Sequence, residues 1–180
     1  MAIRNEILEE ILAATGSGSL PADNCTIGFL DYNDDGLANI AHTGGNDTPI
    51  TNNANGGSTN KLFPPIGITD VWDDVADEFD WTELKLGDMV DIRLVLEVTT
   101  SAANQEITIE LELAQSGSPY RVPFAHLFYK TSGLKKVGSF TGIYMGDTNT
   151  LDNPGQFIFT SANDASIKVI GWYCKLLIRG

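Results

Sequence analysis

Residues 88–100, DMVDIRLVLEVTT, decide the fold class of this 180-residue chain because their side chains alternate along the whole stretch. One face of the extended segment is entirely apolar and consists of Val90, Ile92, Leu94, Leu96 and Val98. A period of two is typical of a β-strand that has one face in the core and the other toward solvent. Residues 105–114, QEITIELELA, alternate in the same way, so two strands with an apolar inner face are predicted.

The rest of the C-terminal half reads as further strands of similar quality. They are rich in β-branched and aromatic residues and cover residues 120–130, 138–146, 155–162 and 166–179. Polar turn clusters separate them, and no helix-length segment intervenes. This pattern favours an all-β antiparallel sandwich or barrel over alternating strands and helices.

The N-terminus carries one amphipathic segment, residues 2–15 (AIRNEILEEILAAT). A short helix is predicted there, with acidic side chains on one side and an apolar stripe on the other. The stripe, which supplies the candidate assembly contacts, consists of Ile3, Ile7, Leu8, Ile11 and Leu12. Since GSGSLP follows as a flexible link, we expect two units: residues 1–20, helix and link, and residues 21–180, the sandwich. A helix this short needs a partner surface, on its own domain or on another chain.

The net charge of −13 argues against a nucleic-acid partner, because phosphate binding needs a basic patch. The charge is uneven: residues 1–118 hold 21 acids and 4 bases, whereas residues 119–180 hold 3 acids and 7 bases. Either acidic and basic strands are neighbours in one sandwich, or one end of a polar molecule meets a charged partner. No apolar run approaches the ~18 residues that span a bilayer, and the acidic N-terminus does not resemble a signal peptide. No membrane partner is expected, and the cysteines Cys25 and Cys174 are expected to be reduced.

Two acidic patterns admit a metal or catalytic interpretation and a simpler one. Asp31–Gly36 resembles the start of a calcium loop, but the twelfth position is His42 instead of a glutamate, so a turn between two strands is expected. The segment 70–81 places Val71, Val75 and Phe79 four residues apart, which predicts a short helix with a solvated acidic face. With two histidines and no nucleophile or phosphate-loop motif, we expect no enzyme activity, no cofactor and no metal site.

The last strands are apolar on both faces. Phe157, Ile158 and Phe159 are consecutive, as are Val169 and Ile170, and the run 172–174 continues the pattern. A strand that is apolar on both faces is buried on both faces, so we expect another layer beyond the facing sheet. A second copy of the same chain is the simplest cover.

The combination of a short N-terminal helix, a Gly/Asn-rich insertion and a final aromatic strand (VIGWYCKLLIRG, 169–180) resembles jelly-roll structural proteins of tailed bacteriophages. The phrase LKLGDMVDIRLVLEV, 84–98, is similar to jelly-roll strands of phage decoration and tail-tip proteins. The resemblance covers residues 60–180 and implies a jelly-roll-like β-sandwich that forms a homotrimer. It also implies that the N-terminal segment reaches a neighbouring shell protein.

From this resemblance we expect a non-enzymatic virion protein, made in the host cytoplasm, that decorates a capsid and contacts the major capsid or another virion protein. The candidate trimer-core residues are Phe157, Phe159, Ile170, Trp172 and Leu176. The alternative is a receptor-binding or tail-fibre tip protein, in which the 43–60 loop and exposed aromatic side chains recognise a host glycan.

Overall fold

A computed structural model describes residues 25–33, 39–52 and 57–179 of the chain and shows a β-sandwich, as predicted. The strands are β1 Thr26–Asn33, β2 Ile40–His42, β3 Asp47–Ile50, β4 Asn60–Phe63, β5 Trp72–Asp73, β6 Glu78–Phe79, β7 Met89–Thr100, β8 Gln105–Leu113, β9 Tyr120–Tyr129, β10 Gly133–Tyr144, β11 Gln156–Ser161 and β12 Ala165–Ile178. A four-residue helix, α1 (Thr148–Leu151), precedes β11, and its N-cap is Asp147. No helix in these three ranges is long and apolar enough to cross a membrane.

Two antiparallel sheets form the sandwich. The larger has six strands in the order β10-β7-β12-β1-β4, with β2 also paired to β12. The smaller has the order β3-β11-β8-β9, and β5 and β6 form a separate hairpin. Because β4 and β10 lie at the ends of the larger sheet, each leaves one side without a strand partner among the described residues.

The alternation in β7 and β8 sets the core, as expected from the sequence. The inward-facing side chains of both strands are 0–2% exposed and are Val90, Ile92, Leu94, Leu96, Val98, Ile107, Ile109, Leu111 and Leu113. They meet across the space between the two sheets, so burial of this single apolar layer is the main favourable contribution to folding.

Strand β12 contains the main irregularity of the larger sheet. Its register against β7 shifts between Val169 and Gly171, which leaves Ile170 as the extra residue of a β-bulge. A Cβ atom on Gly171 would lie 2.6 Å from the carbonyl oxygen of Tyr32 on β1. Glycine is therefore required where the bulged strand approaches its neighbour.

The prediction of a helix over 70–81 is wrong. The segment forms the β5–β6 hairpin, in which Trp72 pairs with Phe79 and the Asp73 carboxylate accepts hydrogen bonds from the amides of Val75 and Ala76. Val75 is 91% exposed, so the four-residue spacing did not reflect a common apolar face. Asp77, at φ +64°, supplies the turn that closes the hairpin.

The strands on either side of the Asp31–Gly36 motif are also arranged differently from a hairpin. β1 pairs with residues 171–178 of β12, and β2 pairs with residues 165–167 of the same strand. Both strands therefore follow one another along β12 and do not pair with each other. The predicted helix of residues 2–15, and with it the predicted domain boundary after residue 20, lies outside the described residues.

Candidate interaction surface

The outer face of the six-stranded sheet exposes a line of apolar side chains that crosses four strands. Ile27 on β1 pairs with Leu177 on β12, Leu177 with Met89 on β7, and Met89 with Tyr144 on β10. Ile27 is 56% exposed, Met89 40% and Tyr144 59%, and Leu177 is partly exposed. We call these four residues the apolar row. It is the kind of contiguous apolar surface that marks an interaction site.

A second line of residues, paired across the same four strands and on the same face, contains both aromatic and charged side chains. Phe140 pairs with Arg93, Arg93 with Tyr173, and Tyr173 with Asp31. The Tyr173 ring stacks on Phe29, with ring centroids 5.8 Å apart. Burial and the nearby Asp31 carboxylate raise the pKa of Tyr173 above its ordinary value. We call Phe140, Arg93, Tyr173 and Asp31 the mixed row.

Shallow cavities lie along both rows. One of about 380 Å³ is lined by Phe140, Arg93, Tyr173 and neighbours, and another of about 330 Å³ by Arg93, Tyr173 and Asp31 with the β12 bulge. A third, of about 250 Å³, lies at the end of the apolar row between Cys25, Met89 and Leu177. These hollows could receive side chains or a small polar ligand.

The edge of this sheet exposes a further apolar group, which we call the edge ridge. Leu62 and Phe63 on β4 are 76% and 69% exposed, and Ile66 just beyond the strand is 91% exposed. Pro65 is buried and packs against Gly28 of β1, so closely that a Cβ atom on Gly28 would lie 2.3 Å from the proline ring. This contact connects β1 with the turn that contains Ile66. The ridge therefore lies on a backbone that packs against β1, at a strand edge with no strand partner in the described ranges.

The outer face of the larger sheet carries a net positive charge, although the chain is acidic as a whole. Lys175 pairs with Asp91 at 3.6 Å, and Lys136 with Glu97 at 3.4 Å. Among the described residues, the guanidinium groups of Arg93 and Arg179 form no ion pair. An acidic partner would therefore be favoured on this face.

The outer face of the smaller sheet is acidic and centres on one arginine. The Arg121 guanidinium contacts Asp47 at 2.6 Å, Glu112 at 2.9 Å and Glu110 at 3.5 Å. Its hydrogen bond to Asp47 holds the pKa of that carboxyl below its ordinary value. The two outer faces thus differ in charge, and within each one acidic and basic strands are neighbours.

The candidate trimer-core residues lie mainly in the core of the single chain. Phe157 (2% exposed), Phe159 (0%), Trp172 (4%) and Leu176 (0%) all pack between the two sheets. Ile170, at the bulge, is partly exposed on the outer face. The apolarity of the four buried side chains is thus satisfied within one chain, and self-association has to use the exposed residues described above.

The acidic segment 70–80 stabilises turns with its carboxylates. Asp70 accepts hydrogen bonds from Ser58 Oγ (2.6 Å), the amides of Ser58 and Val71, and Lys61 Nζ (2.6 Å). Burial acts to raise the pKa of Asp70, but these hydrogen bonds together outweigh it and lower the pKa. The pKa of Glu78 is raised instead, by burial and by the negative charges of Asp73 and Asp80.

The two histidines contact neighbouring protein groups, and Cys174 is buried in the core. His42 is 3% exposed, with Nδ1 2.8 Å from Thr48 Oγ1 and Nε2 3.2 Å from the carbonyl oxygen of Ser161. Exposed His126 contacts Glu106. Complete burial raises the pKa of the Cys174 thiol, which keeps it un-ionised. In the part of the chain that the structure describes, no group of three or more His, Cys, Asp or Glu side chains is placed to hold a metal ion.

Of the three potential ligands in the calcium-like motif, Asp31, Asn33 and Asp35, the first two belong to the described residues. They are β1 residues, and the Asp31 carboxylate accepts a hydrogen bond from Asn60 Nδ2 at 3.4 Å. The predicted candidate assembly contacts Ile3, Ile7, Leu8, Ile11 and Leu12 lie outside the described ranges.

Sequence reasoning missed the apolar row and the edge ridge. The signal was present in residues 25–31, CTIGFLD, where Ile27 and Phe29 alternate with the inward Gly28 and Leu30, so this strand too is apolar on both faces. The row as a whole could not be read from sequence, because it depends on the order of four strands that are distant along the chain.

No protein-family model matches the chain, and no curated protein matches it in sequence. Among solved structures it is similar to one of infectious bursal disease virus, Gt strain, with 11% identity and a TM-score of 0.43 over 87% of this chain and 34% of that one. The chain thus spans about a third of that viral chain. It is also similar to a xylan-binding domain from Paenibacillus barcinonensis (12%, TM-score 0.41, 84% and 94% covered) and to the PRD1 vertex protein (9%, 0.40, 86% and 73%). Likenesses at this level assign neither a family nor a function to the chain.

Proposed function

We propose that this protein is a non-enzymatic structural component of a virion, a capsid decoration protein that forms a homotrimer and binds the phage shell. The observation that carries the proposal is the edge ridge. Three large apolar side chains, Leu62, Phe63 and Ile66, are exposed on or beside a strand edge that has no strand partner among the described residues. Such an edge favours association with another chain, both through its side chains and through its free backbone groups.

The position of the edge ridge favours association of the copies in a closed ring. It lies on one edge of the larger sheet, at β4, whereas the opposite edge is β10. A contact between the ridge of one copy and a different patch on the next is heterologous, and such contacts end only when a rotation closes the ring. A trimer is the smallest such ring, and it would remove three exposed edges from solvent.

Binding to a shell is the second part of the proposal. The outer face of the larger sheet combines the exposed Phe140 and Tyr173 of the mixed row with arginines that form no ion pair among the described residues, so it can contribute apolar area and attract an acidic surface. We expect this face and the N-terminal segment, residues 2–15, to contact the major capsid protein or another virion protein.

The experiment that tests the decoration role is quantitative mass spectrometry of purified particles. A decoration protein is expected in copy number comparable to that of the shell protein, in multiples of three per repeating unit. A few copies per particle would contradict decoration and favour a tail-tip position. Absence from particles would contradict the virion role itself.

The mixed row supports a second candidate, recognition of a host glycan. Arg93 lies between Phe140 and Tyr173 beside two cavities, and its guanidinium forms no ion pair with any described residue. An aromatic ring beside such a guanidinium is suited to stack on and hydrogen-bond a sugar. Calorimetric titration of glycans from the host surface distinguishes the candidates. Binding by the parent protein that is lost in Tyr173→Ala would favour the glycan role, and absence of binding to any host glycan would exclude it.

A further inference from the structure

We propose that the N-terminal segment, residues 2–15, docks as a helix on the apolar row of its own chain. The proposal concerns a different surface from the edge ridge and does not depend on the oligomeric state. It assigns one occupant to the row, on four grounds: position, length, pattern and charge.

The first ground is position. Residue 25 is the first residue described, and Ile27, the β1 member of the apolar row, is only two residues further on. Cys25 itself lines the cavity of about 250 Å³ between Met89 and Leu177. The chain therefore enters the sandwich at one end of the row, beside a hollow that could receive an aliphatic side chain.

The second ground is length. The row crosses four neighbouring strands, so its ends are about 14 Å apart at a strand spacing of about 4.8 Å. A helix over residues 2–15 would be about 21 Å long at 1.5 Å per residue, which covers the row together with its end side chains. Residues 16–24 can span up to about 30 Å when extended, enough for the chain to turn back onto the sheet.

The third ground is pattern. Ile3, Ile7 and Ile11 recur every four residues, so on a helix they form one line with a spacing of about 6 Å. The row offers its four side chains at the similar spacing of successive strands. The apolar line of the helix would thus match an apolar line of about the same length on the sheet.

The fourth ground is charge complementarity. The segment carries Glu6, Glu9 and Glu10 against a single base, Arg4. The row is flanked by Arg179, which forms no ion pair among the described residues, and by the Lys175–Asp91 ion pair, which carries no net charge. An acidic helix is therefore attracted to this face, whereas it would be repelled by the outer face of the smaller sheet.

The test is hydrogen–deuterium exchange of the full-length protein and of Tyr144→Glu. The matched control is Phe128→Glu, because both side chains are 59% exposed strand aromatics but Phe128 lies on β9 of the other sheet. The amides of residues 2–15 are expected to exchange at least about tenfold more slowly than in a free peptide of the same sequence, as docked helices do. Tyr144→Glu is expected to abolish this protection, and Phe128→Glu to leave it unchanged.

Exchange in β8 shows, in the same samples, that each variant is folded, and Met89→Ser replaces Tyr144→Glu if that variant is not. Three results would overturn the proposal. The segment of the parent protein could exchange at the free-peptide rate. Its protection could survive the row variants or be lost equally in the control. It could also be lost on dilution, which would assign the segment to the row of a second copy.

Discussion

At the scale of single residues, Asp70 illustrates how the acidic composition of the chain is used. Its carboxylate accepts hydrogen bonds that join the 57–59 turn, Lys61 and the start of the β5–β6 hairpin. An acidic side chain that reads from the sequence as a solvated charge is therefore a structural junction.

Asp70→Asn is expected to lower the free energy of unfolding by about 1–3 kcal/mol at neutral pH, because the charge-assisted hydrogen bonds are lost. The folded-state pKa of Asp70 lies below its ordinary value of 3.8, so the ionised carboxylate stabilises the fold above that pH. This contribution is lost as the pH falls through the folded-state pKa. Urea unfolding of both proteins from pH 7 to pH 2 checks this, with Asp74→Asn, an exposed carboxylate of the same hairpin, as the control. An Asp70→Asn effect that is as small as that of the control would contradict this role.

The Asp31–Gly36 motif leads to a second prediction at this scale. Its twelfth position is His42, which is buried against Thr48 and Ser161, so the bidentate carboxylate of a calcium loop has no counterpart. Adding EDTA is therefore expected to leave the melting temperature and the assembly unchanged. A shift of more than a few degrees would instead make Asp31 and Asn33 calcium ligands.

At the scale of elements, β12 holds the larger sheet together, because it pairs with β1, β2 and β7. Its bulge at Ile170 lets the strand keep its inward side chains in register on both sides of the irregularity. The bulge depends on Gly171, which lies against the Tyr32 backbone.

Gly171→Ala is expected to destabilise the protein by about 1–3 kcal/mol, because the new methyl group would lie 2.6 Å from a backbone oxygen that cannot move freely. Gly138→Ala on β10 is the matched control, since its nearest backbone neighbour outside the adjacent residues is 3.9 Å away. The control is expected to be neutral or slightly stabilising. Equal denaturation midpoints for both variants would show that the close approach carries no strain.

The elements also show where sequence reasoning succeeds. β7 and β8 were predictable because each alternates strictly over nine or more residues, and the core then follows from which face is apolar. The 70–81 hairpin was not predictable, because its three apolar residues happen to have helical spacing. The turn is stabilised instead by the Asp73 carboxylate and by the left-handed backbone conformation of Asp77. The apolar row was only partly accessible to sequence reasoning, since it depends on which distant strands become neighbours.

At the scale of the whole molecule, the described residues form a core between the two sheets, and each strand in those sheets begins at or after residue 26. Deletion of residues 1–18 is therefore expected to leave a folded sandwich that melts near the parent temperature but does not join its particle. Thermal melting followed by far-UV circular dichroism, together with particle reconstitution, checks both parts. A truncated protein that is unfolded would instead place the N-terminal segment in the core of the domain.

The central claim is that copies of this chain associate through the edge ridge. Sedimentation equilibrium of the full-length protein at micromolar concentration tests it, alongside Phe63→Ser and the control Phe128→Ser, which removes a similarly exposed phenylalanine from the opposite sheet. We predict three times the 19.4 kDa chain mass for the parent and the control, and the mass of a single chain for Phe63→Ser. A parent protein that sediments as a clean monomer, or a Phe63→Ser variant that remains trimeric, would contradict the claim.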